Sequence, residues 1–100
     1  AELQPDNADI LTDYAEAVAL SQQGSLAGEP GRLLSRALEL EPSHPKGLAL
    51  SGSAAFARGD YGAAIDYWQR LLTVSAEDDE LSAALKTGIA EARSRLAQAG

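Results

Sequence analysis

Gly59-Asp60-Tyr61-Gly62-Ala63-Ala64-Ile65-Asp66-Tyr67-Trp68 decides the fold of this 100-residue chain. Tyr61, Ala64, Ile65 and Trp68 stand at offsets of 0, 3, 4 and 7, so they form one stripe of an α-helix. Gly59 takes a left-handed backbone at little cost where one helix ends, and Asp60 supplies an acceptor for orphan N–H groups where the next begins. Ala64 is small enough to let another helix approach. The stretch therefore predicts the hinge of an antiparallel helical hairpin.

On the near side of the hinge, Ser43-His44-Pro45 supplies a cap and a first-turn proline, and Leu48, Gly52, Ala55 and Phe56 mark a contact face. A glycine inside a helix costs about 1 kcal/mol against alanine, so Gly52 predicts a closely approaching neighbour. On the far side, the helix of the hinge runs from Tyr61 to about Val74. Glu77 to Glu80 then open a last helix, carrying Leu81, Leu85, Ile89, Ala92 and Leu96, with acids where the helix dipole favours them. Towards the N-terminus, Asn7 or Asp6 caps a helix from about Ala8 to Gln22, whose inner face reads as Ile10, Leu11, Tyr14, Ala15 and Val18. A loop over Gly24 to Gly31 separates it from a helix over Arg32 to Glu41 bearing Leu33, Leu34, Ala37 and Leu38. Residues 1–7 read as the end of an upstream element, since Leu3-Gln4-Pro5-Asp6-Asn7 resembles Leu40-Glu41-Pro42-Ser43-His44.

Composition agrees with an all-α chain: 45% of residues are hydrophobic and only 5% aromatic, enough for one continuous core of closely spaced helices. A net charge of −7 argues against nucleic acid and anionic lipid surfaces, which are held by clustered cations. The first third is the most acidic, with eight acids in residues 1–42 against Arg32 and Arg36. No cysteine is present, which removes disulfides, thiolate catalysis and cysteine-ligated metals. No apolar run has the length of a membrane span, and the missing initiator Met suggests an excised domain of a larger protein.

The two hairpins superimpose in sequence. Leu11, Tyr14, Ala15, Val18, Leu34, Ala37, Leu38 and Pro42 align in order with Leu48, Ser51, Gly52, Ala55, Trp68, Leu71, Leu72 and Ala76. The offset changes from 37 to 34 between the two helices of the hairpin, so the first copy has an enlarged turn. With Gly52, the Gly-Asp-Tyr turn, Ala64, Ile65, Trp68 and Leu72, residues 45–72 resemble the tetratricopeptide repeat (TPR) family, and residues 8–42 resemble a degenerate copy. That resemblance implies a right-handed superhelix of antiparallel hairpins: one TPR domain over 1–100, with 1–7 closing an upstream repeat, repeats over 8–42 and 45–76, and a C-terminal capping helix over 79–98. The Gly24-to-Pro30 turn, His44-Pro45-Lys46-Gly47-Leu48 and Tyr67-Trp68-Gln69-Arg70-Leu71-Leu72 narrow the likeness to the TPR domain of bacterial cytochrome c maturation proteins. The narrower resemblance implies a periplasmic chaperone module, with its membrane anchor elsewhere in the full protein. Its partners would be the C-terminal helix of apocytochrome c and other maturation proteins. A generic scaffold for protein assembly or self-association, in the cytoplasm or elsewhere, is the alternative.

No residues compose a catalytic, metal or cofactor site. His44, the sole histidine, reads as a solvated residue of a capping loop, because its neighbours Ser43 and Glu41 seldom converge with it on a turn. Glu77 to Glu80 lack the alternating ligands and glycine of an EF-hand loop. Gly24, Gly28 and Gly31 follow no strand and precede no Lys-Ser/Thr, so they make no phosphate loop. Binding then falls to shape. The first helix of each hairpin would line a concave face, presenting Asp9, Thr12, Glu16, Ala19 and Leu20 from one and Lys46, Ala49, Ser53, Phe56 and Ala57 from the other. A groove of that character suits an amphipathic helix or an extended peptide. Phe56 alternatively packs against the neighbouring hairpin.

Overall fold

The computed structural model describes residues 7–99, and the expectations placed on residues 1–6 lie outside them. Five helices follow one another: α1 (Ala8–Ser21), α2 (Glu29–Leu40), α3 (Pro45–Ala57), α4 (Tyr61–Val74) and α5 (Asp79–Ala99). The chain is all-α, and α1 with α2 and α3 with α4 form antiparallel hairpins, with α5 packed on α4. Four starts have side-chain caps: Asn7 Oδ1 accepts from the Asp9 and Ile10 N–H groups, His44 Nδ1 from Gly47, Asp60 Oδ1 from Ala63 and Asp78 Oδ1 from Leu81. Each satisfies a donor that the first helical turn leaves orphaned. Gly59, at φ 84°, ends α3 in the left-handed region, as a glycine at that hinge should.

The expected loop over Gly24 to Gly31 is shorter than the sequence suggests. α2 begins at Glu29, because Pro30 sits in its first turn, where a missing N–H costs no helical bond and the ring is buried. The turn between α1 and α2 thus spans residues 22–28, against 58–60 in the second hairpin.

Two apolar clusters carry the stack. Ala8, Leu11 and Ala37, with Leu33 and Leu40 against them, hold the first hairpin. Leu48, Leu71 and Leu85 hold α3, α4 and α5, and Leu38 of α2 packs onto this second cluster and joins the hairpins. The inner face of α1 differs from the expected one: Ala8, Leu11, Thr12, Ala15 and Ala19 are buried, whereas Ile10 is 53% and Tyr14 50% exposed. Three alanines let α1 lie close to its neighbours, which rotates the larger Ile10 and Tyr14 away. Thr12 is fully buried at no polar cost, since its hydroxyl donates to the Asp9 carbonyl one turn back.

Trp68 fixes the second hairpin. Its indole lies over Gly52 of α3, where a Cβ would meet Nε1 closely, Cδ1 at 2.5 Å and Cε2 at 2.8 Å. The far edge of the ring lies over Gly88 of α5, where a Cβ would stand 3.1 Å from Cζ3. One large ring therefore occupies the space that two missing side chains leave on two helices.

Gly52→Ala should destabilise the chain by about 1–3 kcal/mol despite its better helix propensity, because overpacking against a rigid ring outweighs that gain. Gly62→Ala, where a Cβ meets nothing within 4 Å, should be neutral or stabilising by about 0.5 kcal/mol. Urea unfolding of the two variants checks the contrast, and equal effects would remove the packing role assigned to Gly52.

Candidate functional site

α1 and α3 meet where the two hairpins adjoin. Polar contacts span that seam. His44 Nε2 meets Asp9 Oδ1 at 2.5 Å, and Lys46 Nζ bonds both Asp13 and Glu16 at 2.7 Å. The two carboxylates hold the Lys46 ammonium group well above the usual lysine range, hydrogen bonding to Asp13 first and Glu16 second. Asp9, Glu16 and Lys46, expected to face a ligand, are therefore committed to one another's helices.

The remaining expected groove residues divide sharply. Thr12 and Ala19 are buried, so their expected exposure is corrected: both belong to the close-packed face of α1. Ala49 packs onto the second apolar cluster. Phe56 stacks edge-on to Tyr61 at 5.2 Å and lies 5.9 Å from Trp68, with the Arg95 guanidinium 5.1 Å above its ring. Its packing is thus with its own hairpin and α5. Leu20 is 77% exposed, and Ser53 and Ala57 of α3 are exposed.

Ser53 and Ala57 line a cleft of about 530 Å³ between the end of α3 and the α1–α2 turn. Gly24, Ser25, Leu26, Ala27 and Gly28 form one wall, with Gly31 beside them, and Ser53, Ala54, Ala57 and Arg58 form the other. Its volume is in the range of ligand-binding clefts, and its lining is mostly small and apolar. The turn is braced rather than loose. Gln22 Nε2 donates to the carbonyls of Ser25 at 3.0 Å and Ala27 at 3.1 Å, and the Ala27 N–H donates to Ser25 Oγ. Gly28, at φ 80° and ψ −123°, turns the chain into α2 through a conformation that a side chain would strain. Sequence reasoning counted this turn as an enlarged loop and missed it as a wall of the site. The extra residues between α1 and α2 were the available signal.

His44 corrects a second expectation. It caps α3 as anticipated, yet it is only 8% exposed instead of solvated. Ligand atoms of Asp9, Glu41 and His44 all lie within 4.8 Å of one another, the geometry of a candidate cation site. The hydrogen bonds argue otherwise. Nδ1 accepts the Gly47 N–H, so the ring proton of neutral His44 resides on Nε2 and is donated to Asp9. Metal ligation at Nε2 would move that proton to Nδ1, against the Gly47 N–H. His44 and Asp9 therefore form a joint between α1 and the start of α3.

Comparison with known proteins bears on the family of the chain. A family model described as the cytochrome c-type biogenesis protein H TPR domain matches residues 1–82. The cytochrome c-type biogenesis protein CycH of Pseudomonas aeruginosa is 33% identical over 100 residues, which cover all of this chain and 25% of that protein. A crystal structure of a Vibrio parahaemolyticus protein assigned as YfrE superposes with a TM-score of 0.67 at 26% identity, covering 90% of this chain and 98% of the other.

His44→Ala should lower stability by about 2 kcal/mol, through loss of the α3 cap and of the bond to Asp9. His44→Asn, which restores a cap acceptor without reaching Asp9, should recover roughly half of that loss. Thermal melts followed by circular dichroism make the measurement; an unchanged melting temperature for His44→Ala would contradict the joint.

Proposed function

Because the chain belongs to the TPR family of cytochrome c-type biogenesis protein H, we propose that it is a protein-binding module that holds a segment of apocytochrome c, its C-terminal helix, during cytochrome c maturation. In the full-length protein the module works in the periplasm beside a membrane anchor. The chain spans a quarter of the curated relative it matches, so these properties of the whole protein are carried to it as a proposal. Other maturation proteins are further partners.

The observation that carries this reading is the cleft beside Ser53 and Ala57. It is open to solvent, bounded by a braced turn, and floored by side chains too small to fill it. An apolar side chain from a passing helix gains burial there without displacing the protein's own core. Asp9, Glu16 and Lys46 contribute by holding α1 against α3, while Leu20, Ser53 and Ala57 offer surface. Thr12, Ala19, Ala49 and Phe56 act beneath it as packing.

A second reading, a scaffold that stacks on another hairpin or self-associates, is favoured by the exposure of Ile10 and Tyr14 on α1. Light scattering separates the two: a monomer that binds peptide supports the holding function, and a peptide-blind oligomer supports the scaffold.

Calorimetric titration of the chain with C-terminal helical peptides of c-type cytochromes should give saturable binding, and scrambled peptides should give none. Ala57→Trp, which fills the cleft from an exposed position, should weaken binding at least five-fold with little change in stability. Equal binding of native and scrambled peptides would sink the proposal.

A further inference from the structure

Arg58 is the only charged residue among the described residues that line the cleft, in a chain whose net charge is −7. No carboxylate lines the cleft, although Asp9, Asp13 and Glu16 crowd the neighbouring seam. The cleft thus carries one cation at its lining, in a protein of net charge −7.

The guanidinium is also loosely held. Its ion-pair contact is Asp60 Oδ2 at 3.6 Å, a long approach between half-exposed side chains, and the other oxygen of Asp60 is spent on the Ala63 N–H at the start of α4. Lys46 and Arg95 each have a carboxylate at 2.7 Å, and Arg70 donates to the Pro42 carbonyl at 2.9 Å. Arg58 therefore keeps most of its five donors for a ligand.

We propose that Arg58 sets the specificity of the cleft by pairing with an Asp or Glu side chain one helical turn from the apolar residue that the cleft receives. The cleft is partly open to solvent, so it admits a side chain from a passing helix and does not require a chain end. On such a helix, positions i and i+3 or i+4 share one face, so the apolar anchor lies over Leu26, Ala54 and Ala57 while the acid reaches the rim. The apolar contact supplies affinity. The charge pair supplies orientation and rejects helices that carry a lysine at that position.

This inference rests on the peptide-holding function. The test is a charge-swap cycle with amphipathic helical peptides that carry a leucine anchor and Glu, Gln or Lys four residues on, each with a free and an amidated C-terminus. Fluorescence anisotropy should show the Glu peptide binding the unmodified chain about five-fold more tightly than the Gln peptide and more tightly still than the Lys peptide. Arg58→Gln should abolish the difference, and Arg58→Glu should reverse the order. The preference should shrink at high salt, and amidation should leave it unchanged. Discrimination that tracks C-terminal amidation, or that survives in Arg58→Gln, would overturn the role of Arg58 while leaving the holding function standing. Failure of every peptide to bind, with the folded state verified by circular dichroism, would overturn both.

Discussion

Trp68 between Gly52 and Gly88 is the constraint on which the second hairpin and its cap depend. An indole ring needs a large volume, and two helices supply it by omitting side chains where the ring passes. The arrangement sets the separation of α3, α4 and α5 together, and Leu48, Leu71 and Leu85 complete the cluster around it. Phe56 packs beside the indole at 5.9 Å, and Ala49 packs on the same cluster. The exposed face of α3 carries Ser53 and Ala57, whose small size makes room for the cleft.

The first hairpin joins this unit differently. Leu38 makes an apolar connection, but along the α1–α3 seam the contacts are His44 with Asp9 and Lys46 with Asp13 and Glu16. Polar seams of this kind add little stability on an exposed surface, yet they are directional and specify how two rigid pieces meet. The same contacts neutralise charges that would otherwise face a ligand. Recognition then falls to the α1–α2 turn and the end of α3, where the lining is small, apolar and edged by Arg58.

Much of the fold was legible because helical periodicity and capping chemistry act locally. The bounds of α4 match the expected Tyr61 to Val74, Pro45 opens α3, and Gly52 announced a close neighbour. The partner of that glycine was not legible, and Gly88 passed unnoticed, because a packing complement involves residues far apart in the chain. The α1 face was misjudged for a related reason. Size favoured Ile10 and Tyr14 as core residues, whereas close approach favoured Ala8, Ala15 and Ala19. Pro30 was assigned to the loop by its usual role, although the first turn of α2 accepts it.

The candidate site was the least legible part. Placement on the first helix of each hairpin named ten residues, and in the fold they divide into an ionic seam, buried packing and a small remnant of open surface. By itself the sequence determined five helices, two hairpins of unequal turn length and the family to which the chain belongs, since these follow from short-range spacing and from motifs read in order. The tertiary structure alone decided that Asp9 and His44 meet, that the enlarged turn becomes a wall, and that Arg58 stands at the edge of a cleft. Those are contacts between segments tens of residues apart, and they depend on how side-chain volumes fill the space between helices, which no local pattern specifies.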